Sequence, residues 1–250
     1  MKTTTALLLG LILSLLGANT VIAQDFSFRA QSMVRSKYIG PDDGLLFYGD
    51  PVVHSNVTLT HNPTGLFLDV WHSTGFNTNL SGDWDDEVDV TLGLNKTFGK
   101  ASFTFALAYY DDFDLGHGPV NDVVKAGVRI AYEPQKVTSW LTVTLFASYT
   151  GFFIPDSATT FDGGTVLALG VDTEVKLTER WSIASCSALA WDDGAFGVKP
   201  GLLFRHTSTL NLLLNKHVTW NLIEATAYVP LGDRNMPNHL VWGTGLTVSF

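Results

Sequence analysis

Ionisable side chains recur at alternate positions inside segments that are otherwise apolar or small. Arg29, Arg35 and Lys37 fall in the first such segment, Asp69 in the third, and Glu87 and Asp89 in the fourth. Lys125 and Arg129 follow in the sixth and Asp172 and Glu174 in the eighth, with Arg205 and Glu224 further candidates. Successive side chains of a strand point to opposite faces, so this spacing puts the charges on one face and Val, Leu, Ile and Phe on the other. The chemistry such a face offers is ion binding and charge selection in a polar interior. Two readings stay open. The charges line a water-filled path and select solutes, or they pair across the interior and plug it; a partly paired constriction satisfies both.

Residues for nucleophilic chemistry are present but unorganised. His54, His72, His117 and His206 stand in strands or loops, yet Gly-x-Ser-x-Gly, His-Glu-x-x-His and Cys-x-x-Cys are all absent. A lone strand histidine is most simply a polar lumen or interface residue. Cys186 is the only cysteine, which excludes an internal disulfide. No enzyme, metal site or cofactor is expected.

The elements that must carry these residues are strands. Residues 87–94 alternate Glu, Val, Asp, Val, Thr, Leu, Gly, Leu, and residues 167–175 repeat the pattern. Segments of about ten residues with this period, which is what a tilted strand needs to cross a bilayer, recur along the chain. Twelve candidates result, counting two of muddled parity at 201–214 and 218–229. Their connections alternate in length. Short ones fall at 62–65, 95–100, 133–139, 176–180 and 215–217, and long ones near 39–51, 75–86, 111–122, 151–164, 192–200 and 230–239. That rhythm, with an even strand number, is the pattern of a transmembrane antiparallel up-and-down β-barrel with short turns at one end and long external loops at the other.

Three further observations agree. Leu240, Trp242, Leu246, Val248 and Phe250 share one parity at the very end of the sequence, which resembles the terminal strand read by the barrel-assembly machinery. At the start, Lys2 precedes an apolar stretch, Ala6–Leu16, and Val21-Ile22-Ala23 offers a small-residue cleavage site. Residues 1–23 are therefore expected to be a secretory signal peptide and 24–250 the barrel. Aromatic residues mark both strand ends as interfacial girdles. Tyr132, Trp140, Trp181, Trp220 and Phe250 are expected at one, and Tyr38, Tyr109, Tyr149, Trp191 and Trp242 at the other.

Composition narrows the partners. Charged residues make up 16% of the chain and the net charge is −9, which argues against a nucleic-acid surface. Acidic residues crowd the long loops: Asp42, Asp43 and Asp50, Asp83, Asp85 and Asp86, Asp111, Asp112 and Asp114, Asp192 and Asp193. They read as solvated loop residues, able to meet divalent cations that bridge lipopolysaccharide. Small interior residues of the later strands, Gly170 among them, are expected to accept modest substitution.

Ser36-Lys37-Tyr38, Asp50-Pro51-Val52-Val53, Gly65 to Trp71 and Asp86-Glu87-Val88-Asp89 together resemble the TorF-like porin family, over about residues 30–110. The resemblance implies a bacterial outer-membrane barrel with channel activity. It carries over no binding residue, and Tyr38-Ile39-Gly40 departs from the aromatic-Arg-Gly continuation of that family. The expected function is a porin-like channel for passive diffusion of small hydrophilic solutes in the bacterial outer membrane, with lipid and lipopolysaccharide around it. The alternatives are a lumen-plugged barrel acting as adhesin or structural protein and, third, an outer-membrane lipid hydrolase.

Overall fold

Period-two alternation closes one sheet on itself. The computed structural model describes residues 25–76, 86–112, 123–133, 138–153 and 163–250. The expected signal segment 1–23, with Asp83, Asp85, Asp114 and His117, lies outside these. The strands are β1 (Phe26–Arg35), β2 (Tyr38–Ile39), β3 (Leu46–Tyr48), β4 (Val52–His61), β5 (Leu66–Gly75), β6 (Asp86–Phe98), β7 (Ala101–Asp112), β8 (Val123–Tyr132), β9 (Leu141–Phe153), β10 (Gly164–Lys176), β11 (Trp181–Asp192), β12 (Gly201–Asn215), β13 (Val218–Leu231) and β14 (His239–Ser249). All except β2 and β3 form a closed antiparallel barrel of twelve strands, sealed where β1 pairs with β14. The short and long connections fall where the sequence rhythm places them.

The outer face is apolar. Leu92 is 58% exposed and Leu169 62%, and Phe105, Leu107, Leu145 and Ile130 join them. In water such a surface would be a liability; against lipid it is the required one. The inner face carries Thr, Ser, Ala, Gly and the charged residues.

Residues 201–230 look muddled in sequence because the register shifts. Irregularities fall between Leu210 and Asn211, between Leu213 and Asn215, and between Asn221 and Glu224. Each extra residue flips the parity beyond it, so Asn221 and Glu224 face the same side although their numbers differ by three. Glycines are used where backbones or rings come close. Gly65 sits at φ 74°, and a Cβ there would lie 1.9 Å from the Asn95 carbonyl oxygen. A Cβ on Gly170 would lie 2.4 Å from the Phe146 ring and 2.5 Å from the Ser187 carbonyl oxygen. Even serine at Gly170 would therefore force its neighbours to shift, contrary to the sequence expectation, because an inward Phe146 covers its place.

The main departure from the expected layout is the first long loop. After β1 the chain turns inward, and among the described residues β2 and β3 pair only with each other, Tyr38 with Tyr48 and Ile39 with Leu46. Gly40 N–H donates to Leu45 O at 2.8 Å, and Gly44 N–H to Gly40 O at 3.0 Å, tightening the tip. This hairpin lies inside the barrel. Ile39 packs with Val123, Phe152, Val166, Phe196 and Leu203, all buried, and Tyr38 and Tyr48 pack with Val52.

Candidate functional site

The hairpin and the wall around it enclose a cavity of about 470 Å³ in the long-loop half of the lumen. Arg35 from β1, His54 from β4, Trp71 from β5, Glu87 and Asp89 from β6 and Glu224 from β13 all line it. Strand parity puts them there. Glu87 and Asp89 are two residues apart and share a face, and cross-strand register sets Trp71 beside Asp89.

Charges are partly paired. Arg35 Nε and Nη2 both reach Glu224 Oε1 at 2.8 Å. Arg35 Nη1 lies 2.8 Å from His54 Nδ1. A guanidinium only donates, so Nδ1 accepts, and the neutral ring carries its proton on Nε2. The Tyr38 hydroxyl donates to Glu87 Oε2 at 2.9 Å. Asp69 accepts from Asn56 Nδ2 at 3.2 Å and from the Thr58 hydroxyl. Two cations hold the hairpin tip: Lys125 Nζ lies 2.6 Å from Asp42 Oδ2, and Arg205 donates to the Pro41 carbonyl.

Burial tunes the hairpin's own ionisable groups. Desolvation, with the negative charges of Glu87 and Asp89, raises the Tyr38 phenol well above its ordinary range. Asp42 is desolvated too, but the Lys125 ammonium outweighs this and holds its carboxyl below the usual value. Among the described residues Asp43 has no such partner. Burial pushes its carboxyl up to about 7, aided by the charges of Asp42 and Asp192 and opposed by the Leu45 N–H and Lys125.

A second lock closes the rim. Arg234 Nη2 meets Asp192 Oδ2 at 2.5 Å, and both side chains are 0% exposed. Asp192 Oδ1 accepts from Gly194 and Ala195 N–H at 2.9 and 2.8 Å, shaping the turn that brings Phe196 over Phe47 and Phe152.

The short-turn half is open by contrast. Hollows of about 380 and 690 Å³ are lined by Thr142, Thr144, Asp172, Glu174, Lys100 and Glu133. Arg129 pairs with Asp172 and stacks over the Phe146 ring at 3.9 Å.

The structure thus brings Arg35, Lys37, Asp69, Glu87 and Asp89 to one cavity. It places Lys125 against the hairpin, and Arg129, Asp172 and Glu174 lower in the lumen. Arg29 stands exposed near the short-turn end of β1. Lys37 belongs to the bend after β1 rather than to the strand. Tyr109, Tyr132, Trp140, Tyr149, Trp191, Trp220, Trp242 and Phe250 are exposed at strand ends, and Trp181 is half-buried there. Tyr38 is not among them. It is 6% exposed and points into the lumen, because the chain has left the wall before reaching it. Asp42, Asp43 and Asp192 are likewise not solvated loop residues, whereas Asp50 and Asp193 are exposed. Trp71 escaped the sequence reading of the site, where His54 stands only as a lone strand histidine and Glu224 only as a further candidate. An available signal was the apolar content of a supposed surface loop, Leu45-Leu46-Phe47-Tyr48.

No family model matches the sequence, and no curated protein matches it. Solved structures do. The NanC porin is 12% identical over 88% of this chain and 98% of its own, with a TM-score of 0.54. A bacterial polysaccharide outer membrane secretin gives 8%, 90% and 97% with a TM-score of 0.53. An outer membrane channel from Pseudomonas putida F1 gives 10%, 90% and 95% with a TM-score of 0.50. The fold is that of outer-membrane β-barrels. The TorF-like resemblance rests on its short sequence patterns alone.

Proposed function

We propose that this barrel is an outer-membrane channel for small hydrophilic solutes, constricted by its first long loop. The observation that carries the reading is the hairpin of residues 36–51. It is held in a polar, charged lumen by a few identifiable contacts, above a hollow lower half. A purely structural barrel of this width has no need for a charged cavity of about 470 Å³ beneath its rim. The likeness in fold to porins and channels supports the same reading. On it, the protein is a conduit and not an enzyme. Its surroundings are outer-membrane lipid and lipopolysaccharide, and its last strand is what the assembly machinery engages.

The test is conductance in a planar bilayer. The wild type is expected to conduct weakly, with selectivity set by local lumen charge. Arg35→Glu should shift the reversal potential toward cations and Glu87→Gln toward anions. A barrel that conducts with neither shift would remove these residues from the path.

One observation favours a second reading. The cluster of Ile39, Phe152, Phe196 and Leu203 is apolar and seals part of the long-loop end. A permanently plugged barrel serving as adhesin or structural protein would show that seal and never conduct.

A further inference from the structure

We propose that the cavity beneath the hairpin is a binding site for a small organic ammonium compound that also carries an oxygen acceptor, an amino alcohol or amino-acid zwitterion. The inference rests on the channel reading only in that solutes must reach the lumen.

Two buried atoms facing this cavity have no hydrogen-bond partner among the described residues. They are Asp89 Oδ1 and His54 Nε2, and His54 is only 5% exposed. Their chemistry differs. Asp89 offers a bare acceptor, while His54, with Nδ1 occupied by Arg35, offers an N–H donor. Buried polar groups left this way are costly, so they mark where a ligand or water must supply the missing bonds.

The charge balance selects the sign. Arg35 is occupied by Glu224 and His54, Lys125 by Asp42 and Arg205 by the Pro41 carbonyl. On the opposing side, Glu87 and Asp89 stand on the same face of β6 and hydrogen-bond to each other, sharing one proton, with Tyr38 donating to Glu87 as well. The pair keeps one negative charge and leaves Asp89 Oδ1 open to the cavity, which an ammonium group would satisfy. The aromatic rings agree. Trp71 lies 5.5 Å from Tyr38 and 4.8 Å from His54 between ring centroids, and Tyr110 lines the same cavity. Aromatic faces beside carboxylates recognise alkylated or primary ammonium groups rather than hydrated metal ions.

The strand order gives the ligand its direction. β1, β4, β5 and β6 are successive neighbours in the wall, so Arg35, Lys37 and His54 lie toward one side of the site and Glu87 and Asp89 toward the other. The ammonium end points to β6, and the oxygen end to the His54 N–H, with Lys37 behind it. The volume falls within the range of about 300–1,000 Å³ common to small-molecule pockets.

Calorimetric titration of the detergent-folded full barrel tests this with choline, its uncharged carbon isostere 3,3-dimethyl-1-butanol, and tetramethylammonium. Choline should bind saturably. The isostere should bind at least about tenfold more weakly for want of charge, and tetramethylammonium more weakly than choline for want of an oxygen. Asp89→Asn and Trp71→Leu should each weaken choline about tenfold, while Lys216→Gln, at a short turn, should not. If either cavity variant fails to fold by heat-modifiable mobility, the choline–isostere comparison on the wild type still decides. Equal binding of choline and its isostere, or a flat titration, overturns the proposal. Conductance of the same preparation separates the readings. A conducting barrel with a flat titration removes this site and leaves the channel; a non-conducting barrel that binds choline does the reverse.

Discussion

The two halves of the lumen are built from the same strands but by different rules. Toward the long loops, the interior is filled by the hairpin, an apolar cluster and paired charges with little access to water. Toward the short turns, the inner face is Thr, Ser and Ala around open hollows, and its Arg129–Asp172 pair keeps side-chain exposures of 39% and 37%. An ion pair that wet is worth little, whereas one fully excluded from water is costly to break. On the proposed channel reading, the upper half decides what passes and how firmly the rim holds, and the lower half acts as a vestibule.

The largest effect should come from the rim. Arg234→Ala leaves Asp192 buried without its counterion and should cost about 3–5 kcal/mol, read as a lower urea midpoint for the loss of folded mobility. Arg129→Gln in the lower half should cost under about 1 kcal/mol. Equal losses would erase the distinction between the halves.

Replacing residues 37–50 with a short Gly-Ser linker should raise single-channel conductance severalfold while leaving the barrel folded, because the occupant of the upper half is gone. Unchanged conductance would show that the hairpin does not set the constriction.

A smaller effect should follow from pH. Asp43, at about 7 when docked, has a carboxyl raised above its free value, so docking is tightest when it is protonated. That contribution is fully present below about pH 4 and is lost as pH rises through about 7. Conductance or opening frequency should rise between pH 5 and 8. Asp43→Asn keeps an acceptor for the Leu45 N–H and should flatten that rise. A variant with the wild-type profile would take Asp43 out of the response.

The least effect is expected from Asp172→Asn, a slight move of the reversal potential toward anions. A shift as large as that of Glu87→Gln would place selectivity in the vestibule instead.

The wall was legible in the sequence because its physics is periodic. Residues 87–94 and 167–175 announce both their faces, and the length rhythm of the connections fixes which ends lie together. Where an extra residue intervenes, as near Asn211 and Glu224, the period breaks and the pattern fades, although the strands are sound. The site was legible only in part. Arg35, Glu87 and Asp89 follow from parity, but their company does not. Gly40-Pro41-Asp42-Asp43-Gly44 carries every local mark of a solvated turn, and no local rule says that a loop bends into the barrel. That outcome depends on Leu203, Val123 and Phe152, far away in sequence, offering Ile39 a place.

The seam has its own consequence. β1 meets β14 over seven register positions, against ten between β1 and β4, and Gly243 and Gly245 lie along it with little side chain to add. The hairpin springs from the β1 side of that same line. If the hoop is stretched sideways, as by membrane tension, it should part here before anywhere else. The segment occupying the interior would then have a lateral exit beside its own root, without having to thread the mouth. Plug and gate would share one hinge.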